Sequence, residues 1–552
     1  YWSRYTNNKS NPSTLEVINF VIKYQFNEMY LRYFLWQFAG KEDYESRTWE
    51  INTLDGNTLK KLQGVNWFRY GLPLALLFGL AGLGHHFYKD SKRAFALLAL
   101  FLATGVMIII YLNQYDPQPR ERDYSFVGSF FAFSIWIGIG TAAISEWISQ
   151  KLENKNLSKR LIVIAIVLQI IFIPTVMARA NYHSHDRSGN FVAWDYSYNL
   201  LQSCGPNGII FTNGDNDTFP LWYLQEVEKL RTDVAVVNLS LLNTPWYIKQ
   251  WRDKRSGDTK FINYSDKAID KLTSTLQQWE TRLVQVPVYN DPQNEKGYIE
   301  WEMKPTYAGQ ALRVQDMMIM KIISDAAWRI PIYFAVTVSQ QNRIGLDQYL
   351  DMQGLTFQLK SHKTKPVDTE KMYENLMTRI GPDSWSTNFA HNEFYKYEDK
   401  GISRDIEQNE NYVNWSKGYQ PGYMFRNLGN EEVYYNKQTK RLLQNYRSAY
   451  MQLAVTYYME YQRKDRKGKE DHEPRLKELK NKIIQVLDRM EENIPAHVIP
   501  IQSEDLHYQI ARIYGDLEEK EAMRSILETL VNHPSSRPLN RVEYANTFFK
   551  EL

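Results

Sequence analysis

The sequence has almost no cysteine, since Cys204 is the only one in 552 residues. A single cysteine excludes an intrachain disulfide, so any domain outside the cytoplasm must be stable through its core alone. The chain also lacks a glycine-rich phosphate loop, a nucleophile elbow, a cysteine-rich metal site and a nucleic-acid-binding motif. These absences exclude the function classes that those motifs define, and they predict no nucleic-acid partner.

Charged residues are absent from four long stretches between residues 70 and 178. These stretches are Gly71–Tyr88, Ala94–Leu112, Tyr124–Ser145 and Leu161–Ala178. About 20 apolar residues cross the core of a bilayer, and about 17 can suffice. A buried helix of a soluble domain explains any one stretch, but not four in close succession. The sequence therefore predicts four transmembrane helices at 71–178.

The short loops between these stretches predict the orientation. The first and third loops are basic, with Lys89, Lys92 and Arg93 in one and Lys151, Lys155, Lys159 and Arg160 in the other. By the positive-inside rule both loops are cytoplasmic. The loop around Arg120, segment 1–70 and everything after Arg179 are then expected to face outward.

Segment 1–70 is predicted to carry an amphipathic helix at the outer membrane interface. Residues 15–40 are apolar and aromatic but include Lys23 and Arg32, and a central basic residue costs a membrane span roughly 2.5–3.5 kcal/mol. Glu28 and Arg32 stand one helical turn apart and are able to pair, or to remain solvated. No signal peptide is recognisable, and we expect further chain upstream of residue 1 to export this segment.

The rest of the chain predicts an α/β domain at 179–365, a linker at 366–430 and a helical domain at 431–552. An apolar strand at Ile209–Thr212, a helix to about Leu230 and a strand at Val234–Leu239 form a βαβ unit. Ile332–Val338 is expected in the same sheet. The C-terminal helices are amphipathic and resemble tetratricopeptide-like (TPR-like) hairpins. The predicted fold class is thus an α-helical transmembrane bundle followed by a periplasmic α/β domain and a TPR-like helical domain.

Four consecutive charges, Arg120, Glu121, Arg122 and Asp123, precede the third apolar stretch directly. An arginine offers a planar fork of N–H donors that fits phosphate oxygens. A loop with two such groups at the lipid boundary is suited to a phosphate or pyrophosphate headgroup. The alternative is structural: the four charges pair with one another and with neighbouring loops. The residues alone leave both interpretations open.

A second polar cluster follows the fourth stretch and contains His183, His185, Asp186 and Arg187. Two histidines and an aspartate are typical of metal ligands or of an acid/base group. Their loose spacing favours a structural role over a metal site. We expect them near the outer surface, facing the Arg120 loop.

Asp215 and Asp217 lie in the turn that follows the first predicted strand. Open α/β sheets bind ligands at this edge, and an Asp-x-Asp pair is able to hold a divalent cation with a sugar-nucleotide pyrophosphate. The alternative, which the local pattern favours, is that Asp217 or Thr218 caps the next helix while Asn213 and Gly214 form the turn.

Several segments between about residues 20 and 360 resemble a known family. They are "YQFNEMYLRYFLWQFAG", "PQPRERDYSF", "HDRSG", "FTNGDNDTFPLWYLQEVEKLRTDVAVVNLSLLNTPWY", "LRVQDMMIM" and "RIPIYFAVTV". The chain resembles bacterial polytopic membrane proteins of unknown function. That family is similar to the protein O-mannosyltransferase of the animal endoplasmic reticulum that acts on plexin-type domains.

The resemblance implies a GT-C-type glycosyltransferase in the bacterial inner membrane, with its large C-terminal part in the periplasm. Such an enzyme takes a sugar from a polyprenyl-phosphate carrier and delivers it outside, here to an acceptor expected to be a protein. GT-C enzymes generally keep an essential acidic residue in their first outward loop, which we expect upstream of residue 1. Substrate contacts are then expected from Arg120, Arg122, His185 and Asp186.

A different class of function is a catalytically silent membrane anchor. Its α/β and TPR-like domains would bind a protein partner in the periplasm. A transporter is a third interpretation, which the scarcity of ionisable residues in the later apolar stretches disfavours.

Overall fold

The computed structural model describes residues 12–42, 64–114, 121–254, 262–289, 291–378, 419, 421–465 and 473–532. The chain forms two compact units, Tyr1–Asp186 and Arg187–Leu552. We call them unit 1 and unit 2.

Unit 1 is helical. Its helices are α1 (Thr14–Phe20 and Arg32–Phe38, joined by the π-helical turns Val21–Leu31), α2 (Leu74–Lys89), α3 (Ser91–Leu112), α4 (Asp123–Lys151) and α5 (Lys155–His185). A capping box begins α1, because the Glu16 N–H donates to Ser13 Oγ (3.4 Å) while the Ser13 N–H donates to Glu16 Oε2 (2.8 Å). Asp90 caps α3 by accepting the Arg93 N–H.

Three of these helices are long and apolar enough to cross a membrane. They are α3 with 22 residues, α4 with 29 and α5 with 31. Three of the four predicted apolar stretches thus form helices with the length and composition of membrane spans. The first predicted stretch forms α2, which has only 16 residues. At 1.5 Å per residue α2 is about 24 Å long, shorter than a bilayer core of about 30 Å.

An aromatic core joins α1 to α3 and α4. The ring centroids of Phe34 and Phe133 lie 4.7 Å apart, those of Phe38 and Phe133 lie 4.6 Å apart, and Phe34 is 6.0 Å from Phe101. One face of α1 is therefore buried inside the unit. The placement of this helix at the outer membrane interface stays a prediction.

Unit 2 combines α/β and helical parts. Its elements are α6 (Val192–Gln202), β1 (Ile209–Thr212), α7 (Phe219–Glu226), β2 (Ala235–Asn238), α8 (Pro245–Lys254), α9 (Asp266–Ser274), β3 (Gln277–Gln278), β4 (Arg282–Pro287), β5 (Tyr298–Met303), β6 (Ala311–Leu312), α10 (Val314–Ala326), β7 (Ile332–Ala335), β8 (Leu350–Met352), β9 (Thr356–Leu359), α11 (Thr369–Met377), α12 (Lys437–Asp465), α13 (Glu473–Asn493), α14 (Glu504–Asp516) and α15 (Lys520–Asn532).

The main sheet has five strands in the order β2-β1-β7-β9-β8. β1 runs parallel to both neighbours, so that Ile209 pairs with Ala235 on one side and with Ile332 on the other. β9 is antiparallel to β7 and β8. All residues of β1, β2 and β7 are buried, as their continuous apolar sequences predict. The predicted βαβ unit and the third parallel strand are confirmed.

The C-terminal helices pack in sequence-adjacent pairs, α12 with α13 and α14 with α15. Their helical character is confirmed, while the TPR-like hairpin and the periplasmic location stay predictions. The described ends of the predicted linker at 366–430 belong to the packed unit. Residues 369–377 form α11, and Arg426 is buried against Asp195 of α6.

Candidate functional site

The charged loop before α4 is fastened to α1 through its two carboxylates. Glu121 Oε2 accepts hydrogen bonds from Arg32 Nη2 (3.1 Å) and from the Tyr33 hydroxyl (2.5 Å). Asp123 Oδ2 accepts one from Gln37 Nε2 (3.3 Å). These three donors lie on α1, so the loop and the start of α4 are tied to that helix. Such ties are what the structural interpretation of the four charges requires.

Arg122 stands between these two anchored carboxylates. Its backbone N–H donates to the Tyr33 hydroxyl oxygen at 3.2 Å. Its Nη1 lies 3.4 Å from the Tyr124 hydroxyl, and its side chain is half-buried. The Tyr33 hydroxyl therefore links Glu121 to the Arg122 backbone. This contact fixes the backbone position from which the Arg122 side chain extends. Arg120 lies outside the described residues, and its role in headgroup binding stays a prediction.

Further cations surround the C-terminal end of α1. The Arg32 guanidinium lies 4.8 Å from the centroid of the Trp36 ring, and Lys41 Nζ lies 4.4 Å from it. Arg69 donates to the Lys41 carbonyl (3.2 Å) and to the Ala180 carbonyl near the end of α5 (3.3 Å). This end of unit 1 thus gathers guanidinium and ammonium groups from α1, from Lys41 just after it, from the segment before α2 and from the loop before α4.

Sequence reasoning missed most of this set. Lys41 and Arg69 lie in no motif, and Arg32 was expected only to pair with Glu28 or to remain solvated. The guanidinium of Arg32 lies 3.9 Å from the Glu28 carboxylate and donates to the Glu28 carbonyl at 3.0 Å, but the closer carboxylate is that of Glu121, at 3.1 Å. The one sequence signal for this cluster is that Arg32 lies close to the aromatic residues Tyr33 and Trp36 at the end of the helix.

The second predicted cluster separates at the boundary of the two units. His185 Nδ1 lies 2.9 Å from the Asn181 carbonyl of its own helix. The Asp186 N–H donates to the Tyr182 carbonyl (2.8 Å) and ends α5. Arg187 begins unit 2 and places its guanidinium 5.4 Å from the centroid of the Tyr434 ring. Substrate contacts by these three residues stay predictions.

Asp217 braces the turn that follows β1. Its two carboxylate oxygens accept the backbone N–H groups of Asn213 and Gly214, both at 2.8 Å, and Oδ2 also accepts from the Thr337 hydroxyl. Asp217 therefore closes the turn before it rather than capping α7. Thr218 precedes α7 without a side-chain cap. The expected helix cap is thus replaced by a turn clamp.

Asp215 is exposed, and its Oδ1 accepts the Asn216 N–H at 3.0 Å. A divalent cation at Asp215 and Asp217 stays a prediction. In the described part of the chain, no group of three or more His, Cys, Asp or Glu side chains is arranged to hold a metal ion.

A polar network that sequence reasoning missed connects β1 to the segment after β7. Arg313 Nη1 donates to Asn342 Oδ1, and Asn342 Nδ2 donates to Asn213 Oδ1, both at 2.8 Å. Asp316 accepts a fork of hydrogen bonds from Arg313 at 2.9 and 3.0 Å. These bonds fix the carboxyl edge of the parallel strands.

Residues 193–272 and 280–379 match the family model TMEM260-associated domain 2. These ranges cover the α/β part of unit 2. The protein O-mannosyl-transferase tmem260 of Dictyostelium discoideum is 28% identical over 108 residues, which are 20% of this chain and 12% of that relative. No solved structure matches the chain. The two similarities support a TMEM260-like family.

Proposed function

We propose that the protein is a membrane glycosyltransferase that moves a sugar from a polyprenyl-phosphate carrier to a protein acceptor on the outward side of the membrane. Three lines of support converge. The chain has three helices suited to a membrane, its α/β part matches a TMEM260-associated domain, and the relative is named a protein O-mannosyl-transferase. Because this relative is named as a transferase of a sugar to protein, sugar transfer is the best-supported reaction for this chain.

The observation that carries the proposal is the anchoring of the Arg122 loop. Glu121 is held by Arg32 and Tyr33, and the Tyr33 hydroxyl also accepts the Arg122 N–H. Arg122 therefore starts from a fixed point at the first turn of the membrane helix α4. An arginine whose backbone is held at the start of a membrane helix supports the proposal, because a guanidinium fits the phosphate of a lipid carrier.

The proposed reaction is an inverting transfer. The acceptor hydroxyl attacks the anomeric carbon, a general-base carboxylate takes the hydroxyl proton, and the bond from the sugar to the carrier phosphate breaks. The phosphate leaves with negative charge. Arginine side chains stabilise that charge more strongly as it develops than in the bound donor, and this difference accelerates the reaction.

The test is to replace Arg120 and Arg122 by alanine, singly and together, in the full-length protein in membranes. Sugar transfer from a polyprenyl-phosphate donor is then measured. We expect the transfer rate of Arg122→Ala to fall by about 10²-fold or more, the typical loss when one charge-stabilising donor is removed. Arg93→Ala is the matched control, because Arg93 is an exposed arginine in the first turn of α3. Full activity in a stably folded Arg120/Arg122 double variant would contradict the assigned role.

A second candidate is a membrane-anchored scaffold, and the extent of the family match favours it. The matched residues all lie in unit 2 and include none of the three membrane helices. A scaffold would bind its partner through the α/β part and the paired C-terminal helices. A stoichiometric complex that survives deletion of residues 118–123, from a protein without transferase activity, would favour the scaffold.

A further inference from the structure

Four aromatic side chains form a partly exposed patch on unit 2. The rings of Phe219 and Trp222 stack at 5.3 Å between centroids, Trp222 lies 6.3 Å from Tyr247, and Tyr247 lies 5.6 Å from Trp246. Phe219 is 50% exposed and Trp246 is 54% exposed, whereas Tyr247 is buried. We call these four residues the aromatic patch. The rings of Phe219 and Trp246 are exposed to solvent, and the buried Tyr247 ring packs against Trp222 and Trp246.

Hydrogen-bonding side chains border the aromatic patch. Asn213, Asp215, Asn216 and Ser240 are all exposed, and we call them the polar rim. The Phe219 N–H donates to the Asp215 carbonyl at 2.9 Å, which places the rim next to the patch. Ser240 Oγ donates to the Asn213 carbonyl at 2.7 Å, so the rim spans the ends of β1 and β2.

The patch and the rim lie at the ligand-binding edge of the sheet. β1 is flanked by two parallel strands, β2 on one side and β7 on the other. The chain leaves β1 toward β2 on one side and leaves β7 toward β8 and β9 on the other, so the connections diverge at the carboxyl ends of β1 and β7. Open α/β sheets bind ligands in the crevice at such a switch point. Asn213, Asp215 and Asn216 follow the end of β1 directly.

We propose that the aromatic patch and the polar rim form a carbohydrate-binding site. A pyranose ring has faces of C–H groups that pack on aromatic rings, and its hydroxyl groups both donate and accept hydrogen bonds. The rim supplies carboxylate, amide and hydroxyl acceptors and amide donors, since the Ser240 hydroxyl hydrogen is already donated to the Asn213 carbonyl. A surface of aromatic rings edged by a few polar groups is the composition expected of a small-molecule site.

The charges of this region favour a sugar over a membrane surface. Residues 213–226 contain Asp215, Asp217 and Glu226 but no lysine or arginine. The cations that follow Trp246 on α8, Lys249 and Arg252, are paired with Asp270 and Asp266. Surfaces that bind lipid headgroups combine aromatic residues with basic ones, because membranes carry anionic lipids. The carboxylates of this region would be repelled by anionic lipid headgroups. The inference does not depend on the proposed transfer reaction, because a chain without transferase activity would still bind the sugar here.

The test uses the full-length protein in phosphatidylcholine nanodiscs, which contain no sugar-bearing detergent. Methyl α-mannoside, methyl β-glucoside and methyl β-galactoside are titrated separately, and saturation-transfer NMR reports binding. We expect saturation transfer to at least one of the three. The affinity should fall by about fivefold or more in a Phe219→Ala/Trp246→Ala variant, since each aromatic contact contributes about 0.5–1.5 kcal/mol. Asp215→Ala should weaken binding without changing the aromatic patch.

The matched control is Tyr289→Ala, because Tyr289 is an aromatic residue of the same unit that is 67% exposed and follows β4. It should bind like the unaltered protein. Circular dichroism of each variant verifies folding. The proposal would be overturned if no glycoside showed saturation transfer, or if the folded Phe219/Trp246 and Asp215 variants both bound like the unaltered protein. Quenching of Trp246 fluorescence by brominated lipids, identified by its loss in Trp246→Phe, would instead show a membrane contact and would also overturn it.

Discussion

Glu121 connects the charged loop to the rest of unit 1. Its carboxylate accepts from Arg32 and Tyr33, which lie 89 and 88 residues earlier in the sequence. The Arg32 side chain is 16% exposed and that of Glu121 is 27% exposed. Water screens such a partly buried pair less than it screens a surface pair, so each charge is expected to depend on the other.

A double-mutant cycle measures this dependence. Arg32→Ala and Glu121→Ala should each lower the thermal stability of the protein in nanodiscs, and the double variant should lose less than the sum of the two. We expect a coupling free energy of about 1 kcal/mol or more. The exposed pair Arg93 and Asp90, whose atoms lie 3.1 Å apart, is the control and should show less than about 0.5 kcal/mol. Additive losses for Arg32→Ala and Glu121→Ala would contradict an interaction between the two side chains.

Sequence reasoning predicted the local part of this site but not the long-range part. The spacing of Glu28 and Arg32 makes their proximity foreseeable, because it follows from helix geometry. Nothing in the loop sequence indicates that Glu121 and Asp123 lie against α1. Contacts across such sequence separations depend on how the helices pack, which periodicity does not encode.

Arg231 is a buried cation in unit 2 with a defined set of acceptors. It donates to the carbonyls of Leu201 (2.7 Å) and Cys204 (3.0 Å) and to both carboxylate oxygens of Asp233. Burial raises the pKa of Asp233, but the hydrogen bonds from Arg231 and from the Asn207 N–H outweigh this, and the pKa lies below its ordinary value. Asp233 therefore stabilises the fold in its charged form.

A pH series tests this interaction. The lowered pKa means that Asp233 contributes stability above its unfolded pKa of about 3.9, and that this contribution is lost as the pH falls through its folded pKa. Asp233→Asn should lower the free energy of unfolding at pH 7 by about 1–3 kcal/mol. The difference should be constant from pH 7 to about 5 and should shrink below about pH 4.

Urea unfolding followed by circular dichroism provides the measurement. Asp270→Asn is the control, since the Asp270 side chain is 57% exposed and pairs with Lys249 on the surface. If the difference in the free energy of unfolding between Asp233→Asn and the unaltered protein became larger toward pH 3, the pKa of Asp233 would not be lowered by folding.

At the scale of elements, the close packing of α2 against α4 depends on two glycines. A Cβ atom added at Gly82 would lie 1.8 Å from the Trp136 carbonyl oxygen, and one at Gly140 would lie 2.2 Å from the Phe78 carbonyl oxygen. Small residues allow membrane helices to approach this closely. Long uncharged runs predicted the helices themselves, but which glycines face a neighbouring helix becomes visible only once the helices are packed.

Gly82→Ala should therefore separate α2 from α4 and destabilise unit 1. We expect a loss of about 1–3 kcal/mol, as for other overpacked cores, seen as a lower melting temperature in size-exclusion chromatography after heating. Gly84→Ala is a control on the same helix, because an added Cβ would meet nothing within 4 Å there. It should be neutral or slightly stabilising, since alanine favours helices. Equal melting temperatures for both variants would contradict close packing at Gly82.

At the scale of the whole molecule, the sequence predicts the helices and strands but not the long-range contacts between them. Apolar run lengths predicted the membrane helices, and continuous apolar strands predicted the parallel sheet. The packing of residues 421–428 into unit 2 was not foreseen, because it depends on partners such as Asp195 and Arg426 that lie 231 residues apart. The buried guanidinium of Arg426 also lies 4.7 Å from the centroid of the Trp194 ring, and this cation–π contact adds to its stabilisation.

The source of the sugar is the most direct test of the proposed function. Membranes containing the full-length protein and an acceptor protein are given the same radiolabelled sugar on either a polyprenyl phosphate or a nucleotide diphosphate. Label bound to the acceptor is then counted. The account predicts that label moves from the polyprenyl phosphate and that Arg122→Ala largely abolishes this transfer. Label arriving only from the nucleotide donor, or no label from either, would contradict it.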